Sequence, residues 1–151
     1  EMNPRRTTMK SIIDRSLEGK VHEKVVVVTG GTSGIGEATA YKLGEAGAHV
    51  VVVASPTFKA TYTGVLKLFL DQVPTDGLAG VAAVPVMMGA GPGHALAPEL
   101  LLKPVLIELG ATCPTRALYL LETAYADGAA IDAWAERARP ALAAVTAGTA
   151  G

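Results

Sequence analysis

Apolar positions along this chain fall into two kinds of run. Short unbroken runs of valine, at 25–28 and 50–53, carry no charge and suit strands buried on both faces of a parallel sheet. Elsewhere apolar residues recur at spacings of three and four, the helical pattern. Ile35, Ala38, Leu43 and Ala46 share one face of a helix over 35–46, and Gly47 is a good C-terminal stop. The pattern then predicts a second strand at 49–53, ended by Ser55-Pro56, and an apolar helix over 63–72, ended by Val73-Pro74. A third strand follows at 81–87, a helix over 95–109, and a fourth strand at 117–121. The last helix carries Ile131, Trp134, Ala138, Leu142 and Val145 on one face, with Trp134 read as core. Strands alternating with helices predict an α/β fold built on a parallel sheet.

Prolines and leucines complicate the later helices. In the 95–109 helix, Leu100, Leu101, Leu102, Val105, Leu106, Ile107 and Leu109 cover nearly the whole circumference. A helix apolar all round is buried on all sides. A domain of this size has few elements to cover it twice, so a subunit interface is expected there. Pro98 falls in the first turn of that helix. Pro104 removes the bond to the carbonyl of Leu100 and should kink it. Pro140 should bend or restart the last helix. Residues 1–8 read as a loose tail and 9–17 as a short helix ended by Gly19. The organisation is therefore an N-terminal segment over 1–23 and one α/β domain over 24–147, with a frayed end.

Composition narrows the function classes. The 151 residues are one domain's worth, 50% hydrophobic and 18% charged, which permits a packed core. A net charge of −1 gives no electrostatic case for nucleic acid or an anionic membrane. One cysteine, Cys113, excludes an intramolecular disulfide and reads as a small buried or half-buried thiol. His22, His49 and His94 are scattered and offer no zinc spacing, so no metal site is expected. No apolar run reaches the roughly 18 residues of a spanning helix, and nothing reads as a secretory signal. A soluble cytoplasmic protein is the default expectation.

The first valine run leads into Thr29-Gly30-Gly31-Thr32-Ser33-Gly34-Ile35-Gly36. Strand, glycine turn and helix N-terminus in that order form a place where backbone N–H groups can meet a phosphate. The alternative is a glycine-rich βα turn with no ligand. On this motif and the GEATAYKLGEAGAHVVVV that continues it, residues 3–53 resemble the start of a short-chain dehydrogenase/reductase. The lead-in NPRRTT…DRSLEGKV resembles the linker before such domains in bacterial multidomain reductases. The resemblance implies that Gly30, Ser33, Gly34, Ile35 and Gly36, with the Thr32 hydroxyl nearby, face a cofactor phosphate. It stops there. No tyrosine is followed four positions later by lysine, and no Asn-Asn-Ala-Gly occurs, so the general acid of that chemistry is missing. Ala54-Ser55-Pro56 supplies no ribose-reading charge, and Lys59 is the nearest one.

Two further loops carry a second resemblance. Ser55-Pro56-Thr57-Phe58-Lys59-Ala60-Thr61-Tyr62-Thr63-Gly64 and Met88-Gly89-Ala90-Gly91-Pro92-Gly93-His94 each follow an apolar strand and precede a helix. That places both at the C-terminal edge of the sheet, where open α/β sheets bind ligands. Ordinary βα turns, with Phe58 and Tyr62 as packing residues, are the alternative. On these segments, residues 52–145 resemble the NAD(P)H-dependent FMN reductases of the flavodoxin-like fold, with Phe58 where tyrosine is common. The resemblance implies a flavin ring held by Ser55, Pro56, Thr57, Phe58, Lys59, Tyr62, Gly89, Gly91 and His94. It implies FMN and NAD(P)H as cofactors, and a homo-dimer or homo-tetramer formed through the 95–109 helix.

The two resemblances meet near 50–54, as in a mosaic. Joining them leaves about four parallel strands, and right-handed crossovers suggest a three-layer, flavodoxin-like or Rossmann-like sheet of order 2-1-3-4. The expected function is NAD(P)H-dependent reduction of FMN, with the flavin supplying the chemistry and no protein residue assigned as catalytic. The alternatives are an inert nucleotide-binding or scaffold domain, and a dinucleotide-binding remnant of the dehydrogenase.

Overall fold

The computed structural model of this chain describes residues 25–29 and 50–147. The helices expected at 9–17 and 35–46, and the glycine-rich segment 30–36, lie outside the described residues. Among the described residues four strands form one sheet: β1 (Val25–Thr29), β2 (Val50–Pro56), β3 (Ala82–Gly89) and β4 (Leu118–Leu121). Every neighbouring pair is parallel, and the order is β1-β2-β3-β4.

The α/β class and the parallel sheet are as expected; the order 2-1-3-4 is not. That order puts the valines of 50–53 at an edge. Instead β2 pairs with β1 from Val50 to Ala54 and with β3 from Val50 to Pro56. Its valines alternate between two apolar layers, so both its faces are covered and both its backbone edges are used. The expectation assigns this run to the second-strand slot of a doubly wound sheet. A strand that continues into the 55–63 loop instead fills the third-strand slot, which in a 2-1-3-4-5 sheet lies beside the first strand.

Two helices follow β2 and β3. The first, α1 (Gly64–Leu70), is capped by the Thr63 hydroxyl, which accepts from the N–H of Leu66 at 3.3 Å. After β3 come a π-helical turn (Pro98–Leu102) and then α2 (Lys103–Glu108). Both crossovers step across the sheet in the same direction, so right-handedness sends both helices to one face. There Leu66, Leu70, Leu102 and Leu106 pack on Val51, Val53, Ala83 and Met87. The last helix, α3 (Ala129–Ala147), covers the other face, where Trp134, Leu142 and Val145 meet Val50, Ala82 and Val84. Trp134 also donates its indole N–H to the carbonyl of Arg116 at 2.7 Å. Ile131 is exposed, not part of that contact face.

The prolines act differently from expectation. In the π turn the N–H of Lys103 donates to Pro98, five residues back, immediately before Pro104. A proline ring in a regular α-turn clashes with the carbonyl four residues behind it, and a widened turn at that point avoids the clash. The expected kink thus takes the form of a local change of helix type. Pro140 does not break α3, which runs through it. The carbonyl it leaves without a donor belongs to Glu136, an exposed residue, where water can serve.

The 95–109 segment is not buried on all sides within one chain. Leu102 and Leu106 are fully buried against the sheet, whereas Leu100, Leu101 and Ile107 face outward. Glu99 in the π turn fixes the approach to β4. Its carboxylate accepts from the N–H of Ala117 at 2.6 Å and from Lys103 at 2.6 Å, and the Lys103 ammonium also donates to the carbonyl of Thr115 at 2.9 Å. Burial alone would raise the pKa of Glu99. The Ala117 amide, Lys103 and Arg116 outweigh it and hold the carboxyl below its ordinary value.

Candidate functional site

Because the sheet is parallel, the loops after β2, β3 and β4 leave from one edge. Two backbone bonds join them there. The N–H of Thr57 donates to Met88 at 2.7 Å, and the N–H of Glu122 donates to Gly89 at 3.1 Å. At this same edge β1 ends level with β2, Thr29 opposite Ala54.

The loop after β2 is tied to itself. Phe58 and Thr61 exchange backbone bonds of 2.8 and 3.2 Å around Lys59 and Ala60. Both central residues have positive φ, 50° and 70°, which is the pattern of a type I′ turn built without glycine. The buried Ser55 hydroxyl donates to its neighbour's carbonyl, Pro56, at 2.9 Å and accepts from the N–H of Thr63 at 3.1 Å. Ser55 therefore shapes the loop through its hydroxyl. Phe58 projects from the turn and is 64% exposed, while Tyr62 is half-buried and packs on the core. Pro56 and Lys59 are exposed.

The loop after β3 is tied to β4. Tyr119 sends its side chain across Gly89 and donates its phenol O–H to the carbonyl of Gly91 at 2.8 Å. A Cβ on Gly89 would lie 2.2 Å from that phenol oxygen and 3.1 Å from the hydroxyl of Thr57. Glycine is required here by close approach, not by backbone conformation. The Thr57 hydroxyl is itself buried and makes no hydrogen bond among the described residues. Pro92–His94 forms a short 3₁₀ turn, with His94 exposed. The backbone N–H groups of Ala90, Gly91 and Gly93 donate to no acceptor among the described residues, while that of His94 belongs to the 3₁₀ turn.

The structure thus brings together the two loops on which Ser55, Pro56, Thr57, Phe58, Lys59, Tyr62, Gly89, Gly91 and His94 were expected to form a site. Gly30, Thr32, Ser33, Gly34, Ile35 and Gly36 fall outside the described residues. Tyr119 was not foreseen: it lies 28 residues from Gly91, and a tyrosine in a strand signals only packing. Among the described residues no group of three His, Cys, Asp or Glu side chains is placed to hold a metal, and no helix is long and apolar enough to cross a membrane. Burial pushes the half-buried Cys113 thiol upward against the pull of Lys103, which suits a packing role. A groove of about 380 Å³ between α1 and α2, lined by Leu70, Val73 and Leu109 among others, lies at the far ends of these helices and not at the loops.

Known proteins resemble this arrangement. The sequence model of the NADPH-dependent FMN reductases matches residues 41–126, more than half of the chain and both loops. An FMN reductase (NADPH) of Escherichia coli is 43% identical over 61 residues, 40% of this chain and 32% of its own length. One from Pseudomonas putida is 35% identical over 91 residues, 60% of this chain and 43% of its own length. The chain therefore spans less than half the length of these relatives. An uncharacterized oxidoreductase of Mycobacterium tuberculosis shares 49% identity over 49 residues, 14% of its length. Among solved structures, the apo form of an NADH:FMN oxidoreductase superposes with a TM-score of 0.60 at 31% identity, covering 74% of this chain and 59% of its own.

Proposed function

This chain belongs to the NADPH-dependent FMN reductase family, and from that premise we propose that it is an FMN-binding flavoprotein in which NAD(P)H reduces the flavin and a separate electron acceptor reoxidises it. The observation that carries the reading is the 89–94 loop: three backbone N–H groups without acceptors among the described residues, beside the exposed ring of Phe58, at the ligand-binding edge of a parallel sheet. A flavin ring has a polar edge rich in acceptors and two apolar faces. The free amides suit the edge and Phe58 suits a face. When bound, FMN would supply the redox chemistry, accepting a hydride from the nicotinamide. The protein's work is to bind, orient and shield, and no side chain is assigned as a proton donor. The 30–36 segment, upstream of the family match, is read as the phosphate loop and as the dehydrogenase-like half of a mosaic. Its motif and the adjacency of β1 to β2 support that reading.

Titration of the purified protein with FMN, riboflavin, NADH and NADPH tests the proposal. FMN should bind more tightly than riboflavin, and Gly34→Asp should abolish that advantage by setting a carboxylate where the phosphate sits. Phe58→Ala should weaken both flavins by about 1–3 kcal/mol, the scale of a lost large apolar contact. Equal affinity for FMN and riboflavin would remove the phosphate from the glycine loop. Binding of a dinucleotide alone would leave only the dehydrogenase remnant, and no binding at all an inert scaffold. Self-association is read from the outward residues Leu100, Leu101 and Ile107, which form an apolar surface on the helix layer. Ile107→Lys should lower the mass seen by light scattering, and a monomeric wild type would contradict the interface.

A further inference from the structure

The 89–94 loop owes its shape to β4. The N–H of Glu122 holds the carbonyl of Gly89 toward β4. Every described peptide is trans, and a trans peptide sets its C=O and N–H antiparallel, so the N–H of Ala90 is aimed away from β4. Two residues later the Gly91–Pro92 peptide has no N–H, and its carbonyl can be fixed only as an acceptor. Tyr119 supplies that donor at 2.8 Å, and can reach it only because Gly89 has no side chain in the path. With the carbonyls of Gly89, Gly91 and Pro92 all occupied, the last by the N–H of Ala95, the stretch from Gly89 to Pro92 presents the N–H groups of Ala90 and Gly91 against one carbonyl, that of Ala90, without a donor among the described residues. It is built to meet an acceptor-rich edge.

We propose that Tyr119 is a positioning residue for ligand binding: its phenol, laid across Gly89 onto the carbonyl of Gly91, holds the amides of Ala90, Gly91 and Gly93 for the acceptor edge of a flavin ring. This rests on the flavin reading of the site, and Tyr119 acts through the loop without touching the ligand. The geometry also gives the Thr57 hydroxyl a place in the clamp. It is buried beside the same point of Gly89, where the backbone bond from Thr57 to Met88 keeps the loops in contact.

Tyr119→Phe removes the O–H donor and keeps the ring. Lumiflavin, riboflavin and FMN should each bind about three- to tenfold more weakly, the range of one net hydrogen bond. The loss should be equal for all three, because it falls on the ring and not on the ribityl phosphate. The absorption band of bound flavin should shift toward that of free flavin, a signature that lost stability alone does not produce. In the ligand-free protein, the backbone order parameters of Ala90, Gly91 and Gly93 should fall while those of β2 stay unchanged. Unaltered flavin affinity in Tyr119→Phe, with the wild type binding flavin, overturns the proposal. If the wild type binds no flavin, the functional reading fails, and the order parameters decide separately: unchanged values overturn the clamp, and lowered values keep it as a positioning device for another ligand.

Discussion

The 55–63 and 89–94 loops leave neighbouring parallel strands at the same edge, yet they are held in opposite ways. The first closes on itself, through the Phe58–Thr61 pair and the Ser55 hydroxyl bridging to Thr63. The second is closed by others: Tyr119 of β4 and Glu122 just after it take its carbonyls. A self-closed loop keeps its shape as long as its own residues are present. A loop with a borrowed shape depends on the strand it leans against, and on whatever holds that strand. β4 is only four residues long and is anchored at its start by Glu99 and Lys103. Disturbances anywhere along that line should therefore reach the second loop and spare the first.

The most severe disturbance is a side chain on Gly89. Gly89→Ala places a Cβ between the Tyr119 phenol and the Thr57 hydroxyl, and the phenol has to leave the carbonyl of Gly91. Loss of about 2–3 kcal/mol of stability is expected, the scale of overpacking plus a broken buried bond, together with loss of flavin binding. Gly64→Ala is the matching control. A Cβ there meets nothing within 4 Å, and helix propensity favours alanine at the start of α1. Urea unfolding of both variants checks the contrast. An unaffected midpoint in Gly89→Ala would show that the β3 loop does not depend on the phenol.

Acid probes the anchor of β4. Glu99 has a folded pKa below its ordinary value of 4.5, so its contribution is fully present above that value and is lost as pH falls through the folded value. Below about pH 4.5 the bonds to Ala117 and Lys103 weaken, and β4 loses its lead-in. Chemical shifts of Gly89, Gly91 and Tyr119 should then move before those of Phe58 and Thr61. Glu99→Gln should remove that acid step and lower stability at neutral pH by about 1–2 kcal/mol, since the amide still accepts from Ala117 but no longer pairs with the ammonium. Simultaneous movement of both loops in the acid titration would erase the distinction between them.

The same contrast explains what could be read in the sequence. Strands, helices and both loops are legible because valine runs, i,i+4 apolar spacing and Gly/Pro punctuation are local signals. The 55–63 loop is local too, which is why Ser55, Phe58 and Thr63 sit where the sequence puts them. The support of the 89–94 loop is not local: nothing in Leu118-Tyr119-Leu120 announces a partner 28 residues upstream. Sheet order fails for a related reason. The valines of β2 fit either an edge slot or a central one, and only the pairing of both backbone edges decides. The leucines of the 98–108 segment state that the helix is apolar, while the π turn before Pro104 sets which of them meet the sheet.

The smallest expected effect has the opposite sign and tests the self-closed loop from within. Ala60 sits at φ 70°, a left-handed conformation that costs an ordinary residue about 1–2 kcal/mol and glycine almost nothing. Glycine also widens the unfolded ensemble, at a cost of roughly 0.5–1 kcal/mol. Ala60→Gly should therefore raise stability by about 0.5 kcal/mol, the difference between those two terms. Flavin affinity should stay within about twofold, because the Phe58–Thr61 bonds that present the ring of Phe58 are unchanged and no hydrogen bond is lost. A fall in flavin affinity with a rise in stability would mean that the strain itself holds Phe58 in its binding position, as strained backbone does at other functional sites. A fall in stability would show that the turn is not relieved by glycine, and that the 55–63 loop, like its neighbour, takes part of its shape from outside itself.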